Sequence, residues 1–288
     1  LGDVYKRQHD ELNTKGWVDF SDTVHGYKPT DNSGHGTAVA GVIAGRINGI
    51  GMEGIASEAD IYSVKVLDME NTAPVSAVVK AIQWCIENEI DIINMSFGMD
   101  TDSVLLHGIV EQAYDKGILM IAAAGNDTET VQYPAAYPQV MAVGSVGEHL
   151  EISDFSCRGG VEVVAPGENA QTTGFVGSYM KTSGTSIAAA HVTGVAAAVK
   201  SAGHSLSGNQ LRQAIVESAT SLSDGNRLVN YENAVRYVKK KAGKKISVPK
   251  LKQEMGELAE DKDSYVEGSW SSDAWKLEAV SGHYTMIN

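Results

Sequence analysis

Three short stretches of this chain carry side chains suited to acyl-transfer chemistry. In GTSIAAAH (184–191), Ser186 precedes a run of small residues and so falls in the first turn of a closely packed helix. Unpaired backbone N–H groups and the helix dipole gather at such a turn, and both favour an anion beside the hydroxyl. A serine that attacks a carbonyl needs that environment, because the attack creates an oxyanion next to it. The same residue could equally cap a buried helix and do nothing more. In NSGHGTAVAGVIAG (32–45), His35 stands between two glycines at the start of a second small-residue helix. An imidazole is the base that a weak hydroxyl nucleophile requires, although a lone histidine is often a hydrogen-bonded structural residue. In IAAAGN (121–126), Asn126 follows a glycine at the end of an apolar run. Its amide could donate to an oxyanion or simply make a turn. Each reading is weak alone. Together they supply a nucleophile, a base and an oxyanion donor.

The elements that must position these groups are legible in the pattern from about residue 35 to 240. Apolar runs rich in β-branched residues occur at 61–67, 90–97, 118–125 and 139–146. Helical spacing separates them, over Val75 to Glu89, Val104 to Lys116, Ser186 to Lys200, Gly208 to Ala219 and Asn230 to Lys239. Near-continuous apolar strands alternating with helices imply a mostly parallel sheet covered on both faces. In such sheets functional groups gather at the carboxyl ends of strands and at helix starts, which is where Ser96-Phe97-Gly98, Gly125-Asn126, His35 and Ser186 fall.

Composition narrows the function. The 288 residues carry 36 acidic against 23 basic side chains, a net charge of −13, so a nucleic-acid partner is not expected. Two cysteines cannot make a disulfide framework. No run of about 18 apolar residues exists to span a membrane. LGDVYKRQ (1–8) lacks strand or helix periodicity and reads as a foreign or non-native end, with truncation in front of residue 9. After about residue 240 the character changes: KKKAGKK (239–245) is basic and turn-prone, ELAEDKD (257–263) is polar, and 265–280 looks strand-like. Residues 241–288 are expected to be a linker with the possible start of a second domain.

NSGHGTAVAG, INMSFG, IAAAGN, YPAAYPQVMAVGSV, VVAPG and GTSIAAAHVTG, in this order, resemble the signature stretches of the subtilisin-like serine proteases over roughly residues 9 to 235. The resemblance implies an α/β three-layer sandwich around a mostly parallel sheet, and a peptidase domain over 9–240. It makes Ser186 the nucleophile, His35 the general base and acid, and Asn126 an oxyanion-hole donor beside the Ser186 backbone N–H. Ala38 and Ala190 depart from the residues usual at their positions, His and Pro, without removing a catalytic group. The triad Asp is the gap. The family places it in an Asp-Thr/Ser-Gly turn after a buried strand, seven residues before a segment that HDEL (9–12) matches; that position is Gly2, and Asp3 is one residue off. The Asp and its strand are expected to have been lost in front of HDEL, leaving the chain impaired. Asp19, Asp22 and Asp31 read as solvated turn residues.

The same resemblance implies a groove for an extended polypeptide. Ser96, Phe97, Gly98, Ala123, Ala124 and Gly125 match the primary specificity pocket, with Gln132 where the family often has a floor glycine. Val75, Val78 and Phe97 match an apolar pocket further along, the valines being equally plausible as core. RINGIGMEG (46–54) matches a calcium loop, with the Asn48 side chain, the carbonyls of Arg46, Ile50 and Met52, and the Glu11 carboxylate as ligands; an all-oxygen set with one carboxylate suits Ca²⁺. The family is mostly secreted or at the cell surface, intracellular members exist, and a monomer is expected. Two rivals are a catalytically silent peptide-binding relative and an α/β-hydrolase esterase. The esterase would need a Gly-x-Ser-x-Gly elbow and a His after the Ser. Here the Ser flank is Gly-Thr-Ser-Ile-Ala and the His comes first.

Overall fold

The computed structural model describes residues 9–21, 31, 33–68, 70–203, 205–241, 265–267 and 283–287. In chain order the elements are β1 (Thr14–Asp19), α1 (His35–Ala44), β2 (Asp60–Lys65), β3 (Thr72–Pro74), α2 (Val75–Glu87), β4 (Ile92–Met95), α3 (Val104–Asp115) and β5 (Leu119–Ala123). They continue with β6 (Val140–Val146), β7 (Val163–Pro166), β8 (Ala170–Thr173), β9 (Tyr179–Thr182), α4 (Thr185–Ala202), α5 (Gly208–Ser218), β10 (Thr220–Ser221) and β11 (Arg227–Leu228). The last are α6 (Tyr231–Lys241), β12 (Tyr265–Glu267) and β13 (His283–Ile287).

Nine strands form one sheet in the order β1-β2-β13-β4-β5-β6-β7-β11-β10, parallel throughout except for the β10–β11 pair at one edge. Parallel sheets of this kind are buried on both faces, so their strands look apolar throughout and the alternation shows only in which layer each side chain enters. Along β5, Leu119, Ile121 and Ala123 join one core cluster while Met120 and Ala122 join the other. The first cluster lies under α1, α4, α5 and α6, and the second under α2 and α3. This is the expected three-layer α/β sandwich.

Helix ends follow local chemistry. Ser103 caps α3 through Leu106 N, and Ser207 with Gln210 makes a reciprocal capping box on α5. Arg212 on α5 reaches the sheet, giving a two-pronged contact to Glu162 and donating to the Pro138 and Val140 carbonyls. Two strands come from the far end of the chain. β12 pairs antiparallel with β3, and β13 lies between β2 and β4, parallel to both. Residues 1–8, with Gly2 and Asp3, lie outside the described residues, as does Asp22.

Close packing at α5 gives a direct test. A methyl added at Gly208 would sit 2.5 Å from the Gly117 carbonyl oxygen and from Leu119 N, both backbone atoms that cannot swing aside. Gly208→Ala should therefore destabilise the fold by about 1–3 kcal/mol, the scale of overpacking, read as a lower denaturation midpoint. An unchanged midpoint would show that α5 docks less tightly.

Candidate active site

The site is built on the first turns of two small-residue helices and the ends of β4 and β5. Ser186 is the second residue of α4 and only 7% exposed. Its hydroxyl donates to the Ser96 carbonyl oxygen at 3.2 Å, and the Ser96 hydroxyl donates back to the Ser186 carbonyl oxygen at 3.2 Å. Ser96 in turn accepts from Asn94 Nδ2, and Asn94 Oδ1 accepts from Thr193 on the same α4 helix. The end of β4 and the start of α4 are thus locked together by buried, mutually satisfied polar groups.

Asn126 follows β5 beside α4. Its Oδ1 accepts both the Thr185 backbone N–H (2.8 Å) and the Thr185 hydroxyl (2.9 Å). Because a backbone N–H can only donate, the oxygen must face Thr185 and the amide nitrogen must face the other way. That nitrogen lies 3.5 Å from where a Gly184 Cβ would be. The Thr185 hydroxyl also accepts Gly125 N at 3.2 Å, so one side chain ties the β5 end to the α4 start. Sequence reading missed Thr185, although it sits inside the Gly-Thr-Ser motif that singled out Ser186.

His35 opens α1, whose preceding Gly34 is left-handed at φ 81°. Asp31 is the residue that caps this helix, a correction to its reading as a solvated turn residue. Its Oδ1 accepts Gly34 N and Ser33 N, and its Oδ2 accepts the Thr37 N–H and hydroxyl. Asp31 therefore acts on His35 through its charge while its oxygens stay committed to the turn. Burial pushes the His35 ring down to about 4, against the upward pull of Asp31. His191, midway along α4 with Nδ1 at the Ile187 carbonyl, is pushed by burial to about 4 as well. α1 packs directly on α4. The structure thus joins Ser186, Ser96, Thr185, Asn126 and Gly125 through hydrogen bonds, and α1, which His35 opens, packs on α4; the Ser186 hydroxyl bonds to the Ser96 carbonyl.

Of the residues expected to line a peptide groove, Ser96, Phe97 and Gly98 continue β4, while Ala123, Ala124 and Gly125 end β5 or follow it. Gln132 bridges the two, its backbone N–H donating to the Ala124 carbonyl while Tyr133 pairs with Met99. Val75, Val78 and Phe97 are all buried in one apolar cluster, Val78 completely. At the other expected site, Glu11 and Asn48 do meet: Asn48 Nδ2 donates to Glu11 Oε2 at 3.0 Å and the Tyr179 hydroxyl to Oε1 at 2.5 Å. Glu11 is 2% exposed, and among the described residues no cation pairs with it. A buried carboxylate held only by neutral donors, beside a loop rich in carbonyls, fits a bound cation.

The Subtilase family profile matches residues 5–242. The chain belongs to the subtilase family. It is 42% identical over 234 residues to the Thermostable alkaline protease of Halalkalibacterium halodurans, covering 79% of this chain and 64% of that protein. It is 39% identical over 222 residues to the Minor extracellular protease Epr of Bacillus subtilis, covering 76% and 34%. The chain thus spans less than two thirds of these relatives. A solved cold-adapted subtilisin-like serine proteinase matches at TM-score 0.70 and 31% identity, covering 76% of this chain and 82% of that one.

The buried neutral histidines give an acid-stability prediction. An unfolded chain protonates His35 and His191 near 6.5, whereas the folded chain resists until about 4. Protons therefore bind the unfolded state first, and stability falls as pH drops from about 6.5 toward about 4. Urea midpoints across that range should decline more steeply than in a His191→Gln variant; identical slopes would mean that His191 is not buried neutral.

Proposed function

We propose that this subtilase chain is a serine endopeptidase that hydrolyses peptide bonds through an acyl-enzyme on Ser186. The observation that carries the reading is Asn126: pinned by Thr185 beside Ser186, it turns an amide N–H away from the helix, where a developing oxyanion would need it. The Ser186 hydroxyl rotates from Ser96 toward His35, attacks the scissile carbonyl carbon and gives its proton to the ring. The oxyanion takes hydrogen bonds from the Ser186 N–H and Asn126 Nδ2. As the carbon–nitrogen bond breaks, His35 returns the proton to the leaving amine. Water, deprotonated by His35, then releases the acyl group. A ring poised at about 4 is neutral at pH 7 and so ready as a base, but a weak one. A carboxylate placed at the ring would raise its basicity and steady the imidazolium.

The substrate is proposed to be a polypeptide laid as an extended strand along residues 96–98 and 123–125, with Gln132 at the pocket floor and Val75, Val78 and Phe97 behind the wall further along. Secretion or surface location accords with the extracellular relative, and a monomer is proposed. Calcium would be held by Glu11, the Asn48 side chain and the Arg46, Ile50 and Met52 carbonyls, where its chemistry is structural. Glu11 and this loop already join the segment before β1 to the end of α1, since Arg46 N donates to the Glu11 carbonyl.

Ser186→Ala should reduce peptide turnover by orders of magnitude. Asn126→Ala should reduce it by about a hundredfold or more, the scale known for one oxyanion donor in subtilisin itself. A folded chain whose turnover ignores Ser186→Ala would overturn the assignment. A catalytically silent chain is the second reading, favoured by the Ser186–Ser96 hydrogen bond. A folded chain with no turnover, and none when a strand ending in Asp-Thr/Ser-Gly is joined in front of HDEL, would establish it.

For the metal, melting temperatures in calcium and in chelator should differ in the unmodified chain and converge in Glu11→Gln. Binding at a hundredfold excess over the dissociation constant adds about 2.7 kcal/mol. Equal melting temperatures in the unmodified chain would exclude the site.

A further inference from the structure

Asn126 is held at both ends. Thr185 fixes its side-chain oxygen. Cys157, far away in sequence, fixes the backbone on either side of it. The Cys157 N–H donates to the Gly125 carbonyl at 3.0 Å, and the Cys157 thiol donates to Asp127 Oδ1. The same Asp127 oxygen accepts the Glu129 N–H at 3.0 Å, so the carboxylate folds over its own turn. One residue further on, Thr128 N donates to the Phe155 carbonyl.

Cys157 is itself anchored to the sheet. It is 1% exposed, and its carbonyl accepts the Ser156 hydroxyl, which in turn accepts the Ser145 N–H of β6. Burial pushes the Cys157 thiol up to about 11, so it stays protonated and donates at neutral pH. That hydrogen bond holds the Asp127 carboxyl below its usual range, so the acceptor is ionised and the bond is charge-assisted. Gly125 is where such restraint matters. It sits at φ 115°, in the region that glycine enters freely and other residues avoid, and a glycine has the loosest backbone of any residue. A methyl built there would lie 2.7 Å from the Cys157 sulfur, so the thiol packs against the residue that leads into Asn126.

We infer that Cys157 is a positioning residue for the oxyanion donor: its N–H and thiol hold Gly125 and Asp127, and so aim the Asn126 amide nitrogen that lies between them. The inference rests on the reading of Asn126 as that donor. Thr185 fixes one end of the side chain, and Cys157 fixes the backbone from which it springs. Two attachments leave the amide a single direction, whereas the Thr185 contact alone leaves a pivot. Small misplacements of a group that stabilises the transition state cost rate out of proportion to the distance moved. Cys157 touches no reacting atom, so its effect passes through Asn126 and vanishes when the Asn126 amide is removed.

The test is a double-mutant cycle on a peptide p-nitroanilide. Turnover is measured for the unmodified chain, Cys157→Ala, Asn126→Ala and the double variant, with kcat and KM read separately. Cys157→Ala should lower kcat by about tenfold at unchanged KM, because a misaimed donor costs less than a missing one. In the Asn126→Ala background the same substitution should change kcat by less than about twofold. Cys157→Ser, whose hydroxyl can also donate to Asp127, should rescue most of the loss. An equal fall in both backgrounds, or a rise in KM alone, overturns the inference while the proposed activity stands. If Asn126→Ala leaves the kcat of an active chain unchanged, the oxyanion reading fails and takes the inference with it. A second readout needs no turnover: the Asn126 side-chain amide signals in an NMR amide correlation spectrum, identified by their loss in Asn126→Ala. They should be sharp in the unmodified chain and in Cys157→Ser, and shifted or broadened in Cys157→Ala. Unchanged signals overturn the inference whether or not the chain turns over peptide. If Cys157→Ala does not fold, Asp127→Asn, which leaves the thiol only a neutral acceptor, takes its place and should show the same pattern at smaller size.

Discussion

The close approach of two helices rich in alanine and glycine, α4 to the main sheet and α1 to α4 and β8, is the constraint on which the site depends. Along α4, Ala188, Ala189, Ala190, Ala196 and Ala197 are completely buried, and a methyl at Gly194 would come within 2.7 Å of Ile55 Cβ. On α1, a methyl at Gly41 would collide with the Thr172 and Thr173 hydroxyls, which donate to the Ala38 and Thr37 carbonyls. Larger residues would hold the helices off the strands. The first turn of α4 would then no longer present Ser186 at the end of β4. Dense packing of this kind also transmits displacement rather than absorbing it.

Polar groups at the site divide by the work they do. Asn94, Ser96, Thr185, Thr193 and Asp31 spend their hydrogen bonds on backbone and on one another, fixing positions. The Ser186 hydroxyl, the Asn126 amide nitrogen and the neutral His35 ring are the groups such a frame positions for chemistry. Preorganisation of this sort matters more than the strength of any single contact, because a fixed dipole needs no reorientation when charge develops.

Much of this was legible in the residues. The helices over Val75–Glu87, Val104–Asp115 and Gly208–Ser218 match the apolar spacing within a residue or two, since long periodic segments announce themselves. β1 went unread because its sequence, TKGWVD, mixes lysine and glycine with the aromatic and aliphatic residues of a strand. Roles that depend on distant partners were also hidden. Thr185 acquires its importance from Asn126, 59 residues away, and Asp31 looked like any loop aspartate until the turn it caps was in place. Glu11 and Asn48, 37 residues apart, were paired only through family resemblance, and the structure joins them directly. Spacing reveals periodicity well and long-range pairing poorly.

β13 has a consequence for the order in which the molecule assembles. It lies in the interior of the main sheet, yet its partner Asp60 on β2 is more than two hundred residues earlier in the chain. Contacts of such separation carry a large loop-closure cost and form slowly. During synthesis β2 and β4 emerge long before β13, so they must wait with facing hydrogen-bond edges unfilled. Until it arrives, that gap is an adhesive seam: the place where a nascent chain would pair with a neighbour, and where a chaperone would have most to cover.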